Sequence, residues 1–206
     1  MKRFHLAVVI IRLEFLNCNG TSAVYKMSRL QLISIASSAL LYYGFFHLNM
    51  MLFNALELHS GANWIFLPAG VRLLCTLILA GEGAIGLLIA SLIISIQTYA
   101  EMGLLTNLVS ASISAGAPYL VYRLALLNGF PATLDKLNAA RLSMLCLVYA
   151  LVGALLHSLW YSLRSVHTDF LSSFTAMFVG DLIGTFLVLY TMKIVFATVR
   201  RTRGQI

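Results

Sequence analysis

The chain has 206 residues, of which 60% are apolar and 10% charged, with a formal net charge of +7 and a mean hydropathy of +0.90. Soluble domains carry about 25% charged residues, so this composition excludes a water-soluble globular fold and leaves no room for a soluble catalytic domain. Several apolar stretches reach the roughly 17 to 25 residues that cross a hydrocarbon layer about 30 Å thick, which predicts an all-α, polytopic transmembrane helix bundle.

In chain order, residues 1–29 form a leader or interfacial segment. Met1-Lys-Arg-Phe-His ahead of the apolar residues 6–11 has the look of a secretory signal, but Arg12 and Glu14 interrupt the run too soon. Met27, just ahead of the first full span, reads equally well as a later start of translation. The integral-membrane part covers residues 30–197, with about six spans at 30–53, 64–80, 84–100, 104–121, 142–163 and 170–192. Only Gly81-Glu82-Gly83 separates the second span from the third, and glycines flanking a charge there predict a tight helical hairpin. Residues 198–206 form a basic cytoplasmic tail.

Orientation follows from the basic residues, which favour short cytoplasmic loops. Lys26, Arg29, Arg123, Lys136, Arg141, Arg200, Arg201 and Arg203 fall on one side of a six-span arrangement; Glu57, His59, Glu101, Arg164, His167 and Asp169 fall on the other. Both termini are therefore expected to be cytoplasmic. The positive net charge reflects this topology and attraction to the anionic lipid bilayer, not nucleic-acid binding.

Two ionisable residues interrupt the apolar runs. Arg72 comes eight residues after Trp64 and Asp181 eleven after Phe170, both on spans running inward from the outer face. At about 1.5 Å per residue they sit roughly 12 and 16 Å below that face. Charges at such depth are costly and face a partner or a cavity. Pro68 and Gly70 precede Arg72, where they are expected to loosen the helix and free carbonyls. Gly180 and Gly184 flank Asp181, four residues apart, and are expected to admit a neighbouring helix. Arg72, Asp181, Pro68, Gly70, Gly180 and Gly184 thus make up the candidate site, read as a buried ion pair, a small-ligand site or a lipid-headgroup contact.

The remaining polar residues carry less. His47, His59, His157 and His167 lack the local spacing of a metal site, with Glu57 or Asp169 as the only acidic completion, and no metal or other cofactor is expected. Ser110, Ser112 and Ser114 cannot all share one helical face. Trp64, Trp160 and Tyr161 fall near the outer boundary, where amphipathic rings anchor. Cys18, Cys75 and Cys146 show neither a redox pair nor a disulfide framework. No nucleophile elbow, phosphate loop or zinc-protease motif is present, and a serine beside His157 is the one imaginable catalytic pair; the chain is not expected to be an enzyme.

The aromatic-x-Pro-x-Gly stretch Phe66-Leu-Pro68-Ala-Gly70, with Gly81 eleven residues on and Gly86 beyond it, and the later Gly180-Asp181-Leu-Ile-Gly184 resemble two motifs of the bacterial membrane-associated sensor domain family. The likeness covers about residues 30–197. It implies an integral-membrane sensory domain of the bacterial inner membrane, of the kind that precedes histidine kinases or diguanylate cyclases. Arg72 stands where that family has an apolar residue, and Tyr190 lies in the region where it has a terminal proline. No kinase, cyclase or phosphodiesterase sequence follows Arg203, so the expectation is a sensory or regulatory module that signals through a separate membrane or signalling protein. The alternative is a small-solute transporter or substrate-binding membrane component.

Overall fold

The computed structural model describes residues 28–59, 62–130, 138–166 and 169–203. The leader up to Met27, including Cys18, and the loop residues Lys136 and His167 lie outside them. Among the described residues five long helices follow one another: α1 (Arg29–Phe53), α2 (Leu67–Thr98), α3 (Leu104–Leu127), α4 (Ala139–Leu163) and α5 (Phe170–Arg203). All five are long and apolar enough to cross a membrane. A small antiparallel hairpin, β1 (Glu57–His59) with β2 (Ala62–Asn63), joins α1 to α2.

The helix starts follow from local chemistry. Ser28 and Gln31 form a reciprocal capping box at α1, at 3.3 and 2.9 Å, and the Asn138 side chain accepts from Arg141 N at α4. At α2 the first orphan donor, Leu67 N, is taken by Asn49 Oδ1 on α1 at 2.9 Å, and Pro68, which has no N–H to satisfy, occupies the first turn. Pro68 thus begins the helix; it does not loosen one already under way, as its position in a span from residue 64 had implied. Pro118 does lie inside α3, which continues through it to Leu127.

The hairpin expected at Gly81-Glu82-Gly83 has its turn one residue earlier. Ala80 adopts φ 49°, ψ −121°, outside any helical conformation. A straight helix of 32 residues would be about 48 Å long, yet Phe66 and Tyr99, at its two ends, both pack edge-on against Phe46, at 6.4 and 6.5 Å. The chain therefore folds back into two arms, 67–79 and 81–98. A Cβ on Gly83 would come within 2.5 Å of Cys75 O across the fold, and one on Gly86 would strike the α1 backbone at Ile35. These glycines allow the arms and α1 to touch backbone to backbone. Ser38 Oγ bonds Gly83 O at 2.9 Å, and Gln31 reaches Glu82 at the turn.

Apolar packing fills the half of the bundle nearest Ala80. Leu73, Leu77, Leu87, Val121, Leu142 and Leu189 meet there with Cys75 and Cys146, both free thiols. Outward positions are apolar as well, among them Leu40, Leu105, Leu151 and Leu187. A bundle that shows leucine on both its inner and outer surfaces is one built for lipid.

Candidate functional site

The other half of the bundle, beside the β-hairpin, holds a partly open cavity of about 60 Å³ lined by polar and apolar side chains. Every helix contributes. Tyr42 and Phe46 come from α1, Arg72 from the first arm of α2, and Ser91, Ser95 and Tyr99 from the second. Ser110 and Ser114 come from α3, His157 and Tyr161 from α4, and Asp181 from α5, while Asn63 and Phe66 line it from the segment leading into α2. The recurrent spacing of four residues puts each polar pair on one helical stripe facing inward.

Arg72 is 8% exposed. Its Nε donates to Tyr42 Oη at 3.0 Å, Nη2 donates to the same oxygen, and the guanidinium lies 5.1 Å from the centre of the Phe66 ring. The phenol and the ring face hold the cation without a carboxylate. Asp181 is 7% exposed, and one of its oxygens sits 3.3 Å from where a Cβ on Gly153 would be, a close approach to the α4 backbone. The ion pair allowed by their matched depth is not in contact: among the described residues no Arg72 nitrogen is within 4.0 Å of an Asp181 oxygen. The two charges share the cavity, and the fully buried Tyr149 lies within electrostatic reach of both.

Further polar groups complete the lining. His157 Nδ1 donates to Gly153 O at 3.0 Å, which leaves Nε2 to accept from Ser114 Oγ at 3.4 Å. Ser110 Oγ donates to Tyr161 Oη at 2.8 Å. Ser112, two residues from either serine, instead bonds back to Leu108 O on the outer face. Tyr161 is therefore a buried cavity residue and not a headgroup anchor. Among the described residues, no group of three or more His, Cys, Asp or Glu side chains comes together as a metal site. His47 packs against Tyr43 and Phe46.

The structure divides the six residues singled out in sequence. Arg72 and Asp181 line the cavity. Pro68, Gly70, Gly180 and Gly184 form a joint beside it, and what approaches the α5 glycines is mainly the extended segment before α2, where a helix had been expected. A Cβ on Gly180 would strike Asn63 O, and one on Gly184 would strike Phe66 O. Phe66 N donates to Gly180 O at 3.1 Å, and Gly70 packs on Gly184 O and Val188. Tyr42, Asn63, Ser91 and Ser95 were not singled out, and Phe66 only as the aromatic of the Phe66–Gly70 stretch. The signal that marks several cavity residues is polar or aromatic side chains four apart in separate apolar spans, as in Ser91–Ser95–Tyr99 and His157–Tyr161.

No protein-family model, curated protein or solved structure matches the chain.

Proposed function

We propose that this chain is a multi-pass sensory or regulatory membrane module of the bacterial inner membrane, which binds a small polar solute in the cavity around Arg72 and Asp181 and passes its occupancy to a separate partner protein. The observation that carries this reading is the cavity's construction: all five helices and the connecting segment contribute polar side chains to one space, which is closed at depth by the apolar packing around Leu73, Leu142 and Leu189. A solute that reorders side chains there touches every helix at once, so binding has leverage over how the helices pack. Contact between the Phe66–Gly70 and Gly180–Gly184 stretches also supports kinship with the membrane-associated sensor domains, because the two motifs that carry the resemblance form one joint.

With α2 folded at Ala80, the helical arms make six antiparallel passes. Arg29, Arg123 and Arg141 then gather at the end of the bundle that holds the fold of α2, and Glu57, Glu101 and Asp169 at the other. Under the preference for basic cytoplasmic loops the termini are cytoplasmic and the cavity lies in the outer half. A transport component would have to open the packed inner half in each cycle.

Reconstitution separates the two readings. Vesicles that contain only this chain are expected to bind small polar solutes without accumulating them, and the tagged chain isolated from native membranes is expected to bring a signalling partner with it. Time-dependent uptake of a bound solute into the vesicles would replace sensing with transport.

A further inference from the structure

Resting on the reading of the cavity as a solute site, we infer that its ligand is a small zwitterion, with an ammonium group at Asp181 and an oxyanion at Arg72, the chemistry of an α- or ω-amino acid. Asp181 accepts no hydrogen bond from any described residue, although it is 7% exposed and lines the cavity. A buried carboxylate without donors is costly unless something in the cavity supplies them. Arg72 carries five N–H donors, of which two go to Tyr42 Oη and another faces Tyr149, leaving donors for an oxyanion.

The lining contains further groups without protein partners. Ser91 Oγ and both polar atoms of the Asn63 side chain are buried and make no hydrogen bond among the described residues, and both residues are 3% exposed. Most buried polar groups are satisfied, so two such side chains beside Asp181 leave this end of the bundle short of hydrogen-bond partners. Opposite charges that share the cavity without meeting require two opposite poles on the occupant. A lone cation would leave Arg72 against it, and a lone anion would leave Asp181 against it. A ligand neutral overall but charged at both ends matches both.

Size limits the candidates. A water molecule needs about 10–15 Å³ of such volume, so about 60 Å³ holds on the order of four to six water-sized groups, the scale of glycine or alanine.

Calorimetric titration of the full chain in lipid nanodiscs tests this with glycine, alanine, β-alanine, 4-aminobutyrate and taurine, against acetate, ethylammonium and glycerol. At least one zwitterion is expected to bind about tenfold or more tightly than any of the three comparators, since each of these forfeits at least one charge-assisted contact. Ser91→Ala, which breaks no bond within the protein, is expected to weaken that binding severalfold without lowering the unfolding temperature. Asp181→Asn is expected to abolish the preference for the zwitterion over acetate. If glycerol, acetate or ethylammonium binds as well as the zwitterions, the zwitterion assignment fails while the solute site stands. If none of the probes binds, the solute-site reading fails and the assignment with it.

Discussion

The Tyr42 hydroxyl oxygen accepts from both Nε and Nη2 of Arg72, which places a buried cation of α2 on a neutral phenol of α1 instead of on a carboxylate. Because the partner is neutral, the guanidinium keeps its full charge directed at the cavity. Tyr42→Phe removes the acceptor to which Nε is bonded among the described residues and leaves the cation under-satisfied. The expected loss is about 1–3 kcal/mol of stability, read as a lower unfolding temperature in detergent. Arg72→Leu combined with Asp181→Asn in the Tyr42→Phe background is expected to restore part of it, because no buried charge is then left without its partner.

Glycine positions divide sharply by what lies over them. A Cβ at Gly184 would run into the Phe66 carbonyl, whereas at Gly116 nothing lies within 4 Å. Gly184→Ala is expected to cost about 1–3 kcal/mol through forced backbone movement, and Gly116→Ala, inside α3, to stabilise the helix by about 0.5–1 kcal/mol. Unfolding temperatures of the two variants measured side by side should move in opposite directions; equal shifts would rule out the seat of α5 on residues 63–66.

Much of this joint was legible beforehand, but not its geometry. Small residues four apart announce a close approach without saying what approaches, and at Gly180 and Gly184 it proved to be the extended backbone before α2. Arg72 and Asp181 stood out because charges are rare in apolar runs; Tyr42, Ser91 and Ser95 did not, because hydroxyl side chains are common in spans and bond locally to their own helix. The hairpin was signalled by Gly81-Glu82-Gly83. Its turn nevertheless falls on Ala80, because Gly83 and Gly86 are committed to close packing against Cys75 and Ile35. Which polar groups share a cavity depends on helix rotation and neighbour order, and no single span encodes these.

The backbone of Ala80, at φ 49°, is in a region that an L side chain enters at a cost of about 1–2 kcal/mol. Ala80→Gly removes the Cβ that causes this cost, offset in part by the greater freedom glycine gains in the unfolded chain. A net gain of roughly 0.5–1 kcal/mol is expected, against a loss for Ala80→Val, where branching at Cβ worsens the clash. If α2 were straight at this point the order would reverse, with glycine the weaker helix former.

The fold of α2 also determines which side of the membrane its ends face. In a background with Cys18 replaced by serine, the remaining Cys75 and Cys146 are both buried, and single cysteines then report topology. Glu101→Cys, exposed in the link after α2, is expected to react with an impermeant maleimide in intact cells. Gly81→Cys, beside the fold and with nothing within 4 Å of its Cβ position, should react only after permeabilisation. Labelling of both from the same side would exclude a crossing by the 81–98 arm, and exchanged sides would invert the orientation.

Asp181 and Arg72 should respond oppositely to neutralisation. Arg72 is bonded within the protein, so Arg72→Gln breaks contacts to Tyr42 and is expected to destabilise. Asp181 has no such bonds to lose, and its attraction to Arg72 acts from beyond contact distance. Asp181→Asn removes a buried charge whose desolvation the protein alone does not offset, and should raise the stability of the unliganded chain by about 1 kcal/mol. The same change removes one pole of the binding site, so stability and affinity would move in opposite directions, as they do where a site is kept strained for function. The check is paired: unfolding temperature without solute, and the added stabilisation on saturation with the tightest zwitterion. Asp181→Asn should gain in the first and lose in the second, and a loss in both would mean that Asp181 serves the packing of the helices instead of a ligand.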